Sequence, residues 1–400
     1  IIDVHATVGG AVVSCGTLVV CAGTITQCPA NITAPGNSIE VGCLYAEQHG
    51  FQPTGSQNIT YQTGGPALTG TPPTPPTVSG INGISYWVTY RVVQRVPQMF
   101  SAVLGFPNGI VAARSTGVVT GASDCIYVMN PSASSAMDVN GTAELSSGCG
   151  LYVNSSSSTA LTCVGHGSSD AYNAPEYDVV GGVSCGAMSG GTPNTGVSHV
   201  TDPMAGLPVP ATAPYTCDQT NFKVNEGSAS SIVTLSPGVY CGGIEVKKGI
   251  AQFGTGTYII VGGGLWTDNT NATIDASSGV FIYNTFDSTH PFGGVNIVAN
   301  SAANMKAMTT GTYAGILYFE DRNAPTGNID TFSGGANATY TGTFYAIKSE
   351  IDMSGNPSLT SAAYTMVVAD QFHLVGTAYF NNDYSSLPLG NPLTQVAVVE

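Results

Sequence analysis

The sequence predicts a mainly β protein, an irregular parallel β-helix stapled by disulfides and preceded by a small α+β domain. Three observations predict it. Six of the ten cysteines fall in successive pairs at nearly constant separation: Cys125 and Cys149 (24 residues), Cys163 and Cys185 (22), Cys217 and Cys241 (24). Around them run short apolar strands that open on or near a glycine. In a solenoid of roughly 20 to 25 residues per coil, each pair stacks on the neighbouring coil about 4.8 Å away, inside the range a disulfide spans. The third observation is composition: 8% of residues are charged, against a usual value of about 25%, so Ser, Thr, Asn and Gly must cover the surface. Staples of this kind last in an oxidising compartment, and the first functional expectation is an exported structural protein.

The chain begins Ile1-Ile2-Asp3, which is expected where a targeting segment has been removed or the sequence starts internally. The charge-free run from Ala6 to Ile39 is broken by Gly, Ser and Thr and is rich in Val, so a disulfide-tied pair of strands is expected there and no membrane span in the mature chain. Cys15, Cys21, Cys28 and Cys43 are expected to form two disulfides, with three connectivities open. NSIEVGCLYAEQHG (Asn37–Gly50) reads as one short helix with a cap at Asn37 or Ser38. QNITYQTG (Gln57–Gly64) alternates as a strand, and TPPTPPT (71–77) is a polyproline spacer or loop. ISYWVTYRVVQRV (Ile84–Val96) has strand content. PQMFSAVLGF then reads as a two-turn helix and NGIVAARSTGVV as a strand. These elements make an α+β domain over residues 1–120.

From 121 to 385 the strands become short, similar and numerous, from DCIYVMN to YTMVVADQF. From Tyr240 onward their apolar centres, Tyr240, Tyr258, Phe281, Ile297, Leu317, Phe344 and Val367, are separated by 16 to 27 residues. An irregular β-helix gives that spread, because its strands hold register while its turns vary. An antiparallel sandwich would show more tight Asn-Gly hairpins. Asp202–Pro214 is too proline-rich for a strand and is expected to be a loop, and residues 386–400 are expected to form a strand-like tail.

DCIYVMNPSAS, CGLYVNSSSS, DPMAGLPVP, LSPGVYCGGI, GTYIIVGGGL, GGVNI and YAGILYFEDR, in that order, resemble the extracytoplasmic region of TadG-like proteins. With the TadE-like proteins, these belong to the bacterial tight-adherence (Flp-type) pilus-assembly system. The resemblance covers roughly Asp124 to Asp370. LYAEQHGF and RVVQRVPQMFSAVLGFPNGIVAARSTGVV are similar to the pilin-like domain that precedes the β-rich part in that family. Members usually start with a membrane helix and an alanine-rich helical segment, and neither is expected from the residues of this sequence. The family's Ser-Gly-Asn-Ala-Thr turn is degraded here to VNGTAEL, TNATID, GANATYT and MSGNPSLT. The resemblance implies a non-catalytic part in a bacterial surface appendage, through self-association or contact with other appendage proteins.

Other chemistry is weighed against blander readings. Nine Lys+Arg against 24 Asp+Glu give a net charge of −15, which disfavours nucleic-acid partners because phosphate recognition needs a basic patch. The six histidines are scattered and no C-x-x-C occurs, so neither a zinc site nor any cofactor is expected. Asp268, Asn269, Asn271 and Asp275 crowd oxygens as calcium loops do, yet Asx residues are also ordinary turn formers. Polysaccharide-degrading β-helices gather carboxylates and a base in one groove. Asp287 with His290, Asp321 with Arg322 and Asp370 with His373 are the neighbours singled out for this, all expected at strand ends or turns, and no catalytic residue is expected. No G-x-S-x-G elbow marks a serine hydrolase. Six N-x-S/T sequons (Asn31, Asn58, Asn140, Asn154, Asn271, Asn337) would carry sugar only in a source that glycosylates asparagine. The alternative class is a carbohydrate-binding or carbohydrate-degrading β-helix, with Tyr127, Tyr152, Tyr240 and Tyr318 as stacking faces if they point outward. Both chain ends, IIDVHATV and TQVAVVE, are strand-like and short of charge, which predicts a filament built by terminal strand addition.

Overall fold

A computed structural model describes residues 25–64, 84–99, 103–104, 108–121, 124–141, 143–165, 170–268, 271–298, 301–333, 338–354, 364–375, 378–382 and 394–398. The chain divides into two compact units, the first covering Ile1–Ala122, Pro203–Leu207 and Leu389–Glu400, the second Ser123–Asp202 and Pro208–Pro388. The expected polyproline segment and half of PQMFSAVLGF lie outside the described residues, as do Cys15 and Cys21.

In the first unit, helix α1 (Ser38–Gln48) starts where Asn37 accepts the backbone N–H of Glu40 at 2.9 Å, and Glu40 reaches back to the Gly36 N–H at 2.7 Å. These bonds satisfy donors that a helix start leaves open. Strands β1 (Thr26–Gln27), β2 (Gln57–Gly64), β3 (Ile84–Pro97) and β4 (Asn108–Gly121) form an antiparallel sheet in that order. Its fifth strand is Thr394–Val398, antiparallel to β4 with Val396 opposite Val119. The C-terminal segment, expected to be free to add to a neighbour, therefore completes a sheet of its own chain. A disulfide joins Cys28 to Cys43 and, with Ile59, makes a small core; Gly42 lets the Tyr90 ring pass so that its hydroxyl donates to the Ile39 carbonyl at 3.0 Å.

The second unit is a three-faced parallel β-helix. One coil is seen in the strand Gly238–Phe253. Val239–Cys241 lie on the first face, Ile244–Val246 on the second and Gly249–Gln252 on the third, each pairing in parallel with the next coil. The inward column of the first face runs Tyr258, Ile282, Tyr318, Phe344, Val367, Ile126, Leu151 and Tyr177, all buried. Coil length varies strongly: Tyr283 pairs with Phe319, 36 residues on, whereas Tyr345 pairs with Val368, 23 residues on. Ile297, counted above as a coil repeat, belongs to the second face of that long coil, opposite Phe332.

The order of coils in space is not the order in sequence. Residues 219–382 wind as one run whose last strands, Tyr364–Val375 and Ala378–Asn382, pair in parallel with Asp124–Val128, Met137–Asn140 and Leu145–Ser147. Residues 124–195 then continue the same stack. The β-helix is thus a circular permutation of a simple solenoid, with both its entry and its exit at the middle of the stack. Residues 196–202 and 208–218, which belong to the same unit, form a strap over the first face. Asn154 exchanges two 2.9 Å bonds with Val200, Tyr345 donates to Asp202 at 2.6 Å, and Tyr313 donates to the Pro208 carbonyl at 3.2 Å. Farther along, Tyr215 meets Thr285 at 3.3 Å and the Asp218 carboxylate accepts the Val239 N–H at 2.8 Å. The expected proline-rich loop at Asp202–Pro214 contributes Asp202 and residues 208–214 to this strap. It explains why the outward column Tyr283, Phe319, Tyr345, Val368, Tyr127 and Tyr152, aromatic at every position but Val368, is buried.

Candidate functional site

Among the described residues no strap lies on the second face, and its outward column is polar except for Trp266. Register places Lys223, Glu245, Trp266, Asn296, Thr331, Asp352, His373, Asp138 and Thr162 on successive rungs, about 4.8 Å apart. At one end Lys223 and Lys247 reach Glu245 at 2.7 and 3.0 Å, and Lys247 also meets Asp268 at 3.3 Å. Hydrogen bonds from Lys223, then from Lys247, hold the Glu245 carboxyl below its ordinary range against the cost of burial. The Trp266 ring packs against Gly243, where a Cβ would come within 2.6 Å of its Cζ3.

The densest chemistry lies where the two runs of coils meet. His373 Nδ1 is 3.7 Å from Asp352 and its Nε2 is 3.9 Å from Asp138. Asn140 bridges His373 Nε2 at 2.9 Å and Asp138 at 2.7 Å, and Thr162 donates to Asp138 at 2.6 Å. Ligand atoms of Glu350, Asp352 and His373 all lie within 4.8 Å of one another, so these three are the residues that could share a cation. The Asp352 contact pushes the His373 imidazole above its ordinary range, and burial, reinforced by Asp352, Asp138 and Asp370, pushes Glu350 up. The group can hold a proton or a positive charge at the surface.

The three neighbour pairs singled out from sequence fare differently. Asp370 is held by Asn130 at 2.9 Å, whereas His373 faces Asp352 and Asp138. Asp287 and His290 do meet, with the His290 Nδ1 3.0 Å from the Asp287 carboxylate, inside a turn that Asp287 closes by accepting from the backbone N–H groups of Thr289 and His290 at 2.8 and 2.7 Å. Asp321 accepts from Tyr283 and Thr285, while Arg322 stacks on Phe319 and Tyr345 and lies 3.8 Å from Asp202, where it fastens the strap. Asp268 and Asp275 diverge: Asp268 faces Lys247 and Asp275 accepts from Ser277. Tyr127, Tyr152, Tyr240 and Tyr318 are all buried, at 1, 7, 3 and 1% exposure, and cannot serve as stacking platforms. The expectation is corrected because alternate strand positions face the core on one side and the strap on the other.

Three disulfides join successive coils, Cys125–Cys149, Cys163–Cys185 and Cys217–Cys241, with Cα atoms 5.6, 5.0 and 5.6 Å apart. Asp352 and His373 had a sequence signal, a separation of one coil length. Asp138 had none, since the permutation brings it there from 235 residues away. Comparison with protein families, with characterised proteins and with solved structures finds no match to this chain.

Proposed function

We propose that this chain is a non-enzymatic structural protein of the bacterial cell exterior, a component of a surface filament or tight-adherence pilus system. The observation that carries the reading is the β-helix stapled coil to coil by three disulfides and strapped along one face. Covalent ties between neighbouring coils restrict the unfolded chain and stiffen the stack. Oxidised cysteines belong outside the reducing cytosol, and among the described residues no helix is long and apolar enough to cross a membrane. The motif resemblance supplies the appendage context.

Assembly is proposed through the coil ends. Among the described residues Gln219–Asn225 pairs only with the coil after it and Pro193–Thr195 only with the coil before it, and both strands are mostly exposed. Open backbone edges of this kind accept another strand, and end-to-end contact of unlike ends propagates without closing. Negative-stain microscopy of purified protein is expected to show rods joined end to end, shortened by Ile232→Lys at the first coil. Rods unchanged by that variant count against end stacking. A second reading, glycan contact along the second face, is favoured by Trp266 between polar rungs at a constant repeat. A panel of acidic and neutral polysaccharides should show no cleavage; cleavage lost in Asp352→Asn or His373→Ala would make the protein an enzyme.

A further inference from the structure

On the second face, beside the seam where the two runs of coils meet, register puts three titratable side chains on consecutive rungs. Asp352 lies opposite His373, and His373 opposite Asp138. Glu350 stands two residues before Asp352 on the same strand and therefore on the same side of it, where both alternate with the buried Ile351 and Met353. Sequence spacing predicts no metal site here, because His373 gains these neighbours only through register.

The group is too loose for hydrogen bonding and close enough for coordination. His373 Nδ1 is 3.7 Å from Asp352 Oδ2 and its Nε2 is 3.9 Å from Asp138 Oδ2, both beyond the ~2.7–3.2 Å of an N–H···O bond. Two ligands of one zinc ion, each ~2.0–2.2 Å from it, stand ~3.3 Å apart at the tetrahedral angle and at most ~4.3 Å, a range that contains the Asp352–His373 gap. Ligand atoms of Glu350, Asp352 and His373 all lie within 4.8 Å of one another, and a small turn of the long Glu350 side chain closes the set. Asp352 Oδ1 is buried without a hydrogen-bond donor, a costly state for a carboxylate oxygen that a cation on the same carboxylate relieves. Among the described residues, His373 is the only cationic side chain paired with Asp352 or Asp138, so these carboxylates share no permanent positive charge. The other gathering of such ligands, Cys217, Cys241 and His290, has both sulfurs in a disulfide.

We propose that Glu350, Asp352 and His373 Nδ1 bind one divalent transition-metal ion of the zinc type, which clasps the coil of Thr339–Ser354 to that of Tyr364–Val375. One imidazole and two carboxylates, with a fourth position for water, form a zinc donor set, whereas calcium is held by oxygen ligands alone, six to eight of them. Coordination at Nδ1 leaves the ring proton on Nε2, on the side of Asp138. A carboxylate behind the ring orients a metal-bound histidine, and Thr162 fixes Asp138 there with a 2.6 Å bond. Asn140, 2.9 Å from the same nitrogen, offers its amide oxygen to that proton after a half-turn. The inference rests on register and distances, and stands apart from the appendage and glycan readings above.

The test is calorimetric titration of the full chain, stripped with chelator and dialysed, with zinc chloride at neutral pH, using magnesium and calcium chloride as comparison ions. About one zinc ion per chain is expected, with a dissociation constant of ~10 μM or tighter. Magnesium and calcium should bind at least tenfold more weakly. At about a hundredfold excess over that constant, zinc should raise the midpoint of thermal unfolding by ~3 °C or more. Asp352→Asn, which keeps the shape of the side chain, and His373→Ala should each weaken binding ~100-fold, and Asp138→Asn ~10-fold, while His290→Ala leaves it unchanged. In the wild type, with no substitution to perturb folding, zinc should protect His373 but not His290 from diethyl pyrocarbonate, read by peptide mass spectrometry. Wild type that takes up no zinc overturns the proposal. So does zinc uptake that survives both Asp352→Asn and His373→Ala, a His373 that reacts equally with and without zinc, or calcium bound more tightly than zinc.

Discussion

Glu320 and Asp330 point into the β-helix, where Asp330 has Ile351 as its register partner and that column continues through Phe372, Met137 and Leu161. They are held by Ser349, Tyr318 and the backbone N–H groups of Lys348 and Val295. No cation shares the cluster. Burial pushes Glu320 up to about 8 and Asp330 to about 6, and burial likewise pushes Asp124 to about 7. A carboxyl whose native pKa exceeds its unfolded value binds its proton more tightly when folded. Its stabilising effect is complete below about pH 4 and is lost as pH rises through the native value. Stability is therefore expected to fall between about pH 4.5 and 8, by on the order of a few kcal/mol for Glu320 alone. Thermal unfolding of Glu320→Gln across that range should show a shallower decline than wild type; parallel curves would remove the cluster from the account. None of this was legible in the sequence, where Glu320 and Asp330 look like ordinary strand residues, because inward and outward positions are told apart only by partners on other coils.

At the scale of elements, the strap of residues 196–202 and 208–218 depends on few side chains. Arg322 touches Phe319, Tyr345 and Asp202 together, and its Nε donates to the Tyr345 hydroxyl at 2.8 Å. Arg322→Ala is expected to cost about 1–2 kcal/mol and to speed hydrogen exchange of the strap amides selectively. Exchange that rises equally over the whole β-helix would mean that the strap is no separate element. DPMAGLPVP announced a loop through its prolines, but nothing in it announced a path. The helix over Ser38–Gln48 and the strand Gln57–Gly64 were readable, since a cap at Asn37 and a period of two are local signals. Coil length was readable only where turns are short, and the 36-residue coil from Tyr283 hid its repeat behind two long turns.

At the scale of the whole molecule, the permutation puts the chain's entry into the β-helix, at Asp124, beside the coil through which it leaves, Tyr364–Val375 and Ala378–Asn382. Sequence similarity among strands indicated a solenoid but could not rank the coils, because every strand offers the same backbone edge and the joining pairs, such as Val367 with Ile126, lie far apart in sequence. A relinked chain beginning at Thr201, which keeps the strap and Cys217, joining Asn382 to Asp124 by a short linker and ending at Val200 should fold as a β-helix with wild-type far-ultraviolet dichroism. An unfolded product would argue against the seam. The central claim is an exported, coil-stapled β-helix, and non-reducing peptide mapping of protein taken from its native location tests it most directly. The account predicts Cys28–Cys43, Cys125–Cys149, Cys163–Cys185 and Cys217–Cys241, each inter-coil bond contributing about 3 kcal/mol. Free thiols at these positions, or bonds that cross between the pairs, would contradict it.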